Sequence, residues 1–221
     1  MIKAVIFDMD GLLVDSEPLW EIAKMRVFPR VGVPMTRELS AQMIGLRSDE
    51  AVLFLNDRFP WEAPSLVDVE KELLDTMADL LRQQTSALPG ALSVIGTLRE
   101  AGMPMAIASS SPQRIIDIVL KELGIFEDMV VSHSAELESH GKPHPAVYLT
   151  TARQLGVRPE ECLALEDSGN GVLAAKSAKM QCIAVPSEAA KSDKLIQIAD
   201  MAISSLADFT LSMLTTSGLR A

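Results

Sequence analysis

Cysteine is nearly absent: the 221 residues contain two, Cys162 and Cys182. Both sit inside apolar segments, "CLALE" and "QCIAV", where a small buried thiol in a reducing compartment carries no chemistry. Basic residues are also scarce, 20 Lys and Arg against 30 Asp and Glu, for a formal charge of −10. Nucleic acid and anionic membrane surfaces are themselves negative and need Lys/Arg patches, so neither is an expected partner. No apolar run approaches the length of a membrane span, and the chain enters a strand-like segment at once, with no basic n-region before an apolar stretch. Neither an internal repeat nor a low-complexity tract occurs. A soluble, cytoplasmic monomer is expected, long enough to bury a full core.

What is present is acid in an unusual place. The stretch "VIFDMDGLLVDSEP" sets Asp8, Asp10, Asp15 and Glu17 directly behind the apolar run Ala4-Val5-Ile6-Phe7. Such a run reads as a buried strand. Two like charges about 4 Å apart repel by roughly 4 kcal/mol near a protein surface, so a cluster at a strand end calls for a cation, a proton or a task.

Further strand-like runs lie at 104–109, 129–132, 162–166, 181–185 and, weakly, 201–203, with the first at 3–8. Helical spacing marks 112–123, 145–155 and 171–180, with Gly124 and Gly156 at C-terminal positions. Alternating strands and helices predict an α/β fold, a Rossmann-like, doubly wound parallel sheet. Residues 17–88 are helical in pattern and too long for a crossover. Ser48 and Ser65 read as N-caps there, and Pro60, Pro64 and Pro89-Gly90 punctuate. The expected organisation is a catalytic core of residues 1–16 and 89–221, an inserted all-helical cap of 17–88, and a helix 89–101 returning to the sheet. The last stretch, "LTTSGLRA", is expected to fray.

Ligands gather at the carboxyl ends of strands in open α/β sheets. There the chain offers Asp8 and Asp10 after the first strand, Ser109, Ser110 and Ser111 after the second, Lys142 after the third, and Glu166 and Asp167 after the fourth. The acids supply oxygen ligands for a hard cation, with Mg²⁺ the natural choice and Mn²⁺ or Co²⁺ as substitutes. Ser109 and Lys142 offer donors to phosphate oxygens. Asp8 suits a nucleophile that takes up a phosphoryl group, and Asp10 suits the acid and base that protonates the leaving oxygen and activates water.

"DMDGLLVDSE", "IASSSP", "GKPHP" and "LEDSGNG" together resemble, in order, the four motifs of the haloacid dehalogenase-like hydrolases, across essentially the whole chain. The resemblance implies Asp8 as nucleophile, Asp10 as general acid/base, Ser109, Ser110 and Lys142 at the phosphate, and Asn170 near the substrate. It implies metal ligation by Asp8, Asp10 through its carbonyl, and Asp167, assisted by Glu166. The insertion resembles the family's first type of helical cap, closing over the substrate. "DSEPLW", "GLRSDE" and "PWEAPS" resemble the branch that dephosphorylates 2-deoxyglucose 6-phosphate and hexitol phosphates, so the expected substrate is a small sugar phosphate.

Other readings stand beside these. An Asp-x-Asp-Gly run alone is often a turn, and an EF-hand fails because Gly11 falls too early and no Glu closes the loop. Glu166-Asp167-Ser168 reads equally as a helix cap, and Ser109 to Ser111 as a capped turn. "GNGVLA" matches a dinucleotide fingerprint, but acids before it would repel a pyrophosphate, so its glycines read as close helix packing. His140 and His144 straddle a Gly and a Pro, which disfavours a helical zinc pair. Met77 to Leu81 reads as cap core, and Trp20 and Trp61 as packing residues. A phospho-accepting receiver module uses similar groups but is far shorter and needs no cap, while a non-catalytic sensor leaves the full acid set without a purpose. The family's dehalogenases lack the second acid, and its phosphonatases use a cap lysine where "GLRSDE" has Arg47. A phosphomutase like β-phosphoglucomutase is the remaining alternative; such mutases carry a histidine at the position of Trp20.

Overall fold

In the computed structural model, which describes residues 1–43, 45–187 and 190–215, six strands form one parallel sheet. They are β1 (Ala4–Phe7), β2 (Met105–Ser109), β3 (Met129–Ser134), β4 (Cys162–Glu166), β5 (Gln181–Ala184) and β6 (Met201–Ala202). Their order is β3-β2-β1-β4-β5-β6, with every neighbouring pair parallel. The central strands AVIF, MAIAS and CLALE are buried along their whole length, as a sheet covered on both faces requires.

Side chains alternate between the two faces. Val5 and Phe7 enter the cluster that contains Ile107 and Leu165, whereas Ala4 and Ile6 face Ala106, Ala108, Cys162 and Ala164. The second face is lined with small residues, so α7 (Ala146–Leu155) and α8 (Gly169–Ser177) approach closely and fill it with Val147, Tyr148 and Val172. Both cysteines are buried there with free thiols, and burial pushes Cys162 up to about 11.

Between β1 and β2 the described residues form helices α1 (Glu17–Val27), α2 (Arg37–Ala41), α3 (Ser48–Arg58), α4 (Leu66–Gln84) and α5 (Ala91–Glu100). α4 is the longest, and Ser65 caps it by accepting from the Asp68 N–H at 3.2 Å. Its buried Val69, Leu73, Met77 and Leu81 recur every four residues and pack toward α1 and α3. Burying side chains of this size contributes about 1.5–3 kcal/mol each, which turns a polar-faced sequence into a fixed helix. Met77 to Leu81 is thus core, as its spacing predicts. The chain leaves and re-enters the sheet region side by side: Val14 bridges Ala87, and the Leu88 N–H donates to the Leu13 carbonyl at 2.9 Å.

Some details depart from the expected pattern. β1 stops at Phe7, because the chain turns onto the Met9 carbonyl, which receives the N–H groups of Leu12, Leu13 and Val14. β3 continues past Ser132 through the polar residues His133 and Ser134, which stay paired with β2 up to Ser109. Ser48 is not the cap of α3 but its first helical residue. Its hydroxyl donates to Glu70 at 2.6 Å, and the Glu50 carboxylate accepts from the Arg47 N–H instead. α6 (Gln113–Glu122) takes its terminal partner from afar, with the Gln113 N–H donating to Glu136 at 2.8 Å. No helix among the described residues is long and apolar enough to cross a membrane. The fraying expected of "LTTSGLRA" concerns residues that, from 216 on, lie outside those described.

Candidate active site

Strand order reverses at β1: the chain runs outward to β3 on one side, then restarts at β4 on the other. Crossovers leave opposite faces at such a point, opening a crevice at the carboxyl ends of β1, β2 and β4. Asp8 stands there, one residue past β1, with its N–H on the Leu165 carbonyl at 3.0 Å. A cavity of about 360 Å³ opens over it, with Asp10, Ser109, Ser110, Lys142, Asp167 and Asn170 in its wall. Of the catalytic, phosphate-binding and metal-ligating residues expected from the sequence, only Glu166 lies behind that wall, fully buried.

The Lys142 ammonium joins the loops. It donates to Asp8 Oδ1 at 2.6 Å, Glu166 Oε1 at 2.6 Å and the Ala108 carbonyl at 2.9 Å. Three donors meet three protein acceptors, so the lysine anchors the acids to the end of β2. Two carboxylates beside it hold the ammonium charged, with its pKa above the ordinary lysine value in spite of burial. Removing one member of such a buried group costs about 3–5 kcal/mol because its partners stay buried without compensation. The Tyr148 hydroxyl also donates to Glu166 Oε1, at 2.6 Å, and burial with the Glu166 charge holds that phenol protonated.

Asp10 is held by three hydroxyls. Ser16 donates to Oδ1 at 2.5 Å, and Ser111 and Ser109 donate to Oδ2 at 2.8 and 3.2 Å. Ser16 precedes α1 in the N-cap position yet makes no cap bond, since its hydroxyl is directed at Asp10. Ser111 is at the crevice as its place after β2 predicts, but Ser16 and Tyr148 were not identifiable from sequence as site residues. The only signal was Ser16 in an N-cap position, which points to capping rather than to the site.

Asp8, Glu166 and Asp167 offer oxygens lying within 4.8 Å of one another, all three buried. Burial, with Glu166 and Asp10 nearby, raises Asp8 to about 7 against the pull of Lys142, and burial beside Asp8 drives Asp167 upward as well. One ammonium cannot balance three buried carboxylates, and the donors are hard oxygens, so the set fits a divalent cation such as Mg²⁺. Two glycines give this acid cluster its space. A side chain on Gly11, at φ +78°, would run into Asp167, and one on Gly171 would occupy the Glu166 carboxylate. The glycines of "GNGVLA" therefore make way for acids, Gly171 for Glu166 and Gly169 for Asp193, rather than for another helix. Ser168, not Asp167, caps α8, accepting from the Gly171 N–H at 3.1 Å.

Trp20 lines the cavity from α1 while also packing on the apolar cluster, so it is more than the packing residue expected. Trp61 lies outside the cavity wall, against the same cluster. His140 and His144 sit in the loop beside Lys142, their ring centroids 5.2 Å apart and tilted.

Two carboxylates, Asp8 and Asp10, in one cavity wall suit a group that one acid can accept and water, activated by the other, can remove. The chain is a phosphoric monoester hydrolase. It belongs to the haloacid dehalogenase-like hydrolase family, whose model matches residues 2–179. It is 39 % identical over 210 residues to hexitol phosphatase B of Escherichia coli (strain K12), covering 95 % of each chain. Among solved structures it is similar to CbbY from Rhodobacter sphaeroides in complex with phosphate, at TM-score 0.88 and 25 % identity over the whole of both chains. The β-phosphoglucomutase from Clostridium difficile shares the fold at TM-score 0.85, with 23 % identity and 97 % and 96 % coverage.

Proposed function

We propose that this chain dephosphorylates small sugar phosphates, 2-deoxyglucose 6-phosphate and hexitol phosphates among them, as a cytoplasmic monomer. Residues 1–16 and 89–221 serve as the catalytic core, and 17–88 as a helical cap over the crevice, entered and left through the paired segments at 13–14 and 87–88. The observation that carries the reading is Asp8, buried at the switch point and ion-paired to Lys142, with Asp10 in the same cavity wall. The similarity to hexitol phosphatase B supports the substrate class.

Asp8 attacks phosphorus, forming an acyl phosphate as the ester P–O bond breaks, and Asp10 delivers a proton to the departing oxygen. Asp10 then takes a proton from water, which attacks phosphorus and releases inorganic phosphate, regenerating the Asp8 carboxylate. Lys142 orients Asp8 and offsets charge, while Ser16, Ser109 and Ser111 aim Asp10. Ser110 and Asn170 meet the substrate from the cavity wall. Asp8, the Asp10 carbonyl, Asp167 and Glu166 would hold Mg²⁺, or Mn²⁺ or Co²⁺ in its place; bound there, a dication neutralises phosphate oxygens.

Phosphomutase action is disfavoured by Trp20, because an indole in that wall cannot act as the acid and base for transfer between sugar hydroxyls. A panel of phosphorylated sugars and polyols, followed for free phosphate, tests the reading. Glucose 1-phosphate with a trace of the bisphosphate is expected to give no glucose 6-phosphate. Isomerisation outrunning phosphate release would refute it.

A further inference from the structure

One charged pair in the cavity has no place in that chemistry. Glu17 and Lys24 both line it from α1, seven residues apart, which is two helical turns and about 10 Å of rise along one face. Lys24 is only 5 % exposed, and among the described residues its ammonium has a single hydrogen bond, to the Ser40 carbonyl at a long 3.4 Å. Half-buried Glu17 has no hydrogen-bond partner among the described residues. A buried ammonium with spare donors is costly unless something fills its remaining sites. Burial pushes Lys24 down and Glu17 up, and in each case the other's charge is the strongest opposing influence.

Resting on the phosphatase reading above, we propose that Lys24, with Glu17 as its counter-charge, reads the hydroxyl chain of the substrate. Ammonium hydrogens donate to hydroxyl oxygens at one end of α1, and the carboxylate accepts hydroxyl hydrogens at the other. Trp20 lies between them and offers an apolar face. This wall is neutral in sum, one acid and one base, so it suits an uncharged polyol chain better than a second phosphate. Lys24 is thus a specificity residue that takes no part in the phosphoryl transfer.

The test compares kcat/KM for a hexitol monophosphate with that for phenyl phosphate, which has no hydroxyl chain, in wild type, Lys24→Met and Lys24→Arg. Methionine keeps the apolar stem and removes the donors. A hydrogen bond from a charged donor is worth enough to lower the hexitol-to-phenyl ratio by about 10- to 100-fold, mostly through KM, with arginine restoring part of it. A merely structural role would lower both substrates together and leave the ratio unchanged, overturning the proposal. A wild-type preference for a hexitol bisphosphate over the monophosphate would overturn it too, because Lys24 would then be reading an anion. A wild type that cleaves phenyl phosphate but no polyol phosphate would instead defeat the functional reading, and this inference with it.

Discussion

Replacing Gly171 by alanine is expected to destabilise the protein although the site is helical. Glycine to alanine inside a helix normally adds up to about 1 kcal/mol. Here the new methyl would coincide with both Glu166 oxygens and their carbon. That carboxylate has no exposed surface and is held by Lys142 and Tyr148 at 2.6 Å each, so it has nowhere to retreat. Overpacking of this kind costs about 1–3 kcal/mol, and loosening a hydrogen bond to a charged group adds about 1.5–3. The net loss is about 2 kcal/mol or more. For a chain of this size each kcal/mol moves the melting temperature by about 2–4 °C, so Gly171→Ala should melt at least about 4 °C lower. Phosphatase activity should fall with it, because Glu166 shares Lys142 with Asp8. Gly96 in α5 is the control: a methyl there meets only the end of Arg99, at 3.9 Å. Gly96→Ala should raise the melting temperature by up to about 4 °C. Calorimetry of both variants decides, and a Gly171→Ala protein as stable as Gly96→Ala would show that Glu166 is not confined as described.

Asp8→Asn keeps the shape of the side chain but not the nucleophile, and should reduce turnover at least about 10³-fold while circular dichroism stays that of wild type; substantial residual activity in a pure preparation would argue against an acyl phosphate. Chelation with EDTA should abolish activity and Mg²⁺ restore it, since three buried acids cluster where one lysine pairs with only two of them; full activity in the chelated enzyme would mean that the acids need no dication. Glu161 is held by Arg158 at 3.0 Å and Lys3 at 2.8 Å, which lower its carboxyl from 4.5 to about 2. A depressed acid stabilises fully above its unfolded value, so this contribution should persist above about pH 4.5 and vanish as pH falls through about 2. Glu161→Gln should flatten the drop in urea midpoint across that window, and an unchanged slope would refute the assignment.

The strands, their parallel arrangement and the crevice were legible because buried runs such as AVIF and CLALE declare themselves locally, and parallel α/β topology brings strand ends together. Asp8, Asp10, Ser109, Lys142, Glu166 and Asp167 could therefore be placed in one site before any coordinates. Their partners could not. Lys142 meets Asp8 across 134 residues, and Ser111 meets Asp10 across 101. The polar end of β3 was hidden because strand pairing, not hydrophobicity, holds His133 and Ser134 in place. Ser16 reads locally as a helix cap and Gly171 as helix packing, yet the first donates to the Asp10 carboxylate and the second makes room for that of Glu166. Periodicity along a chain reports which residues are buried and in what backbone form. Which hydroxyl reaches which acid, and whether Lys24 faces a cavity or water, depends on where distant segments come to rest, and that is set only when the sheet and the inserted helices have packed together.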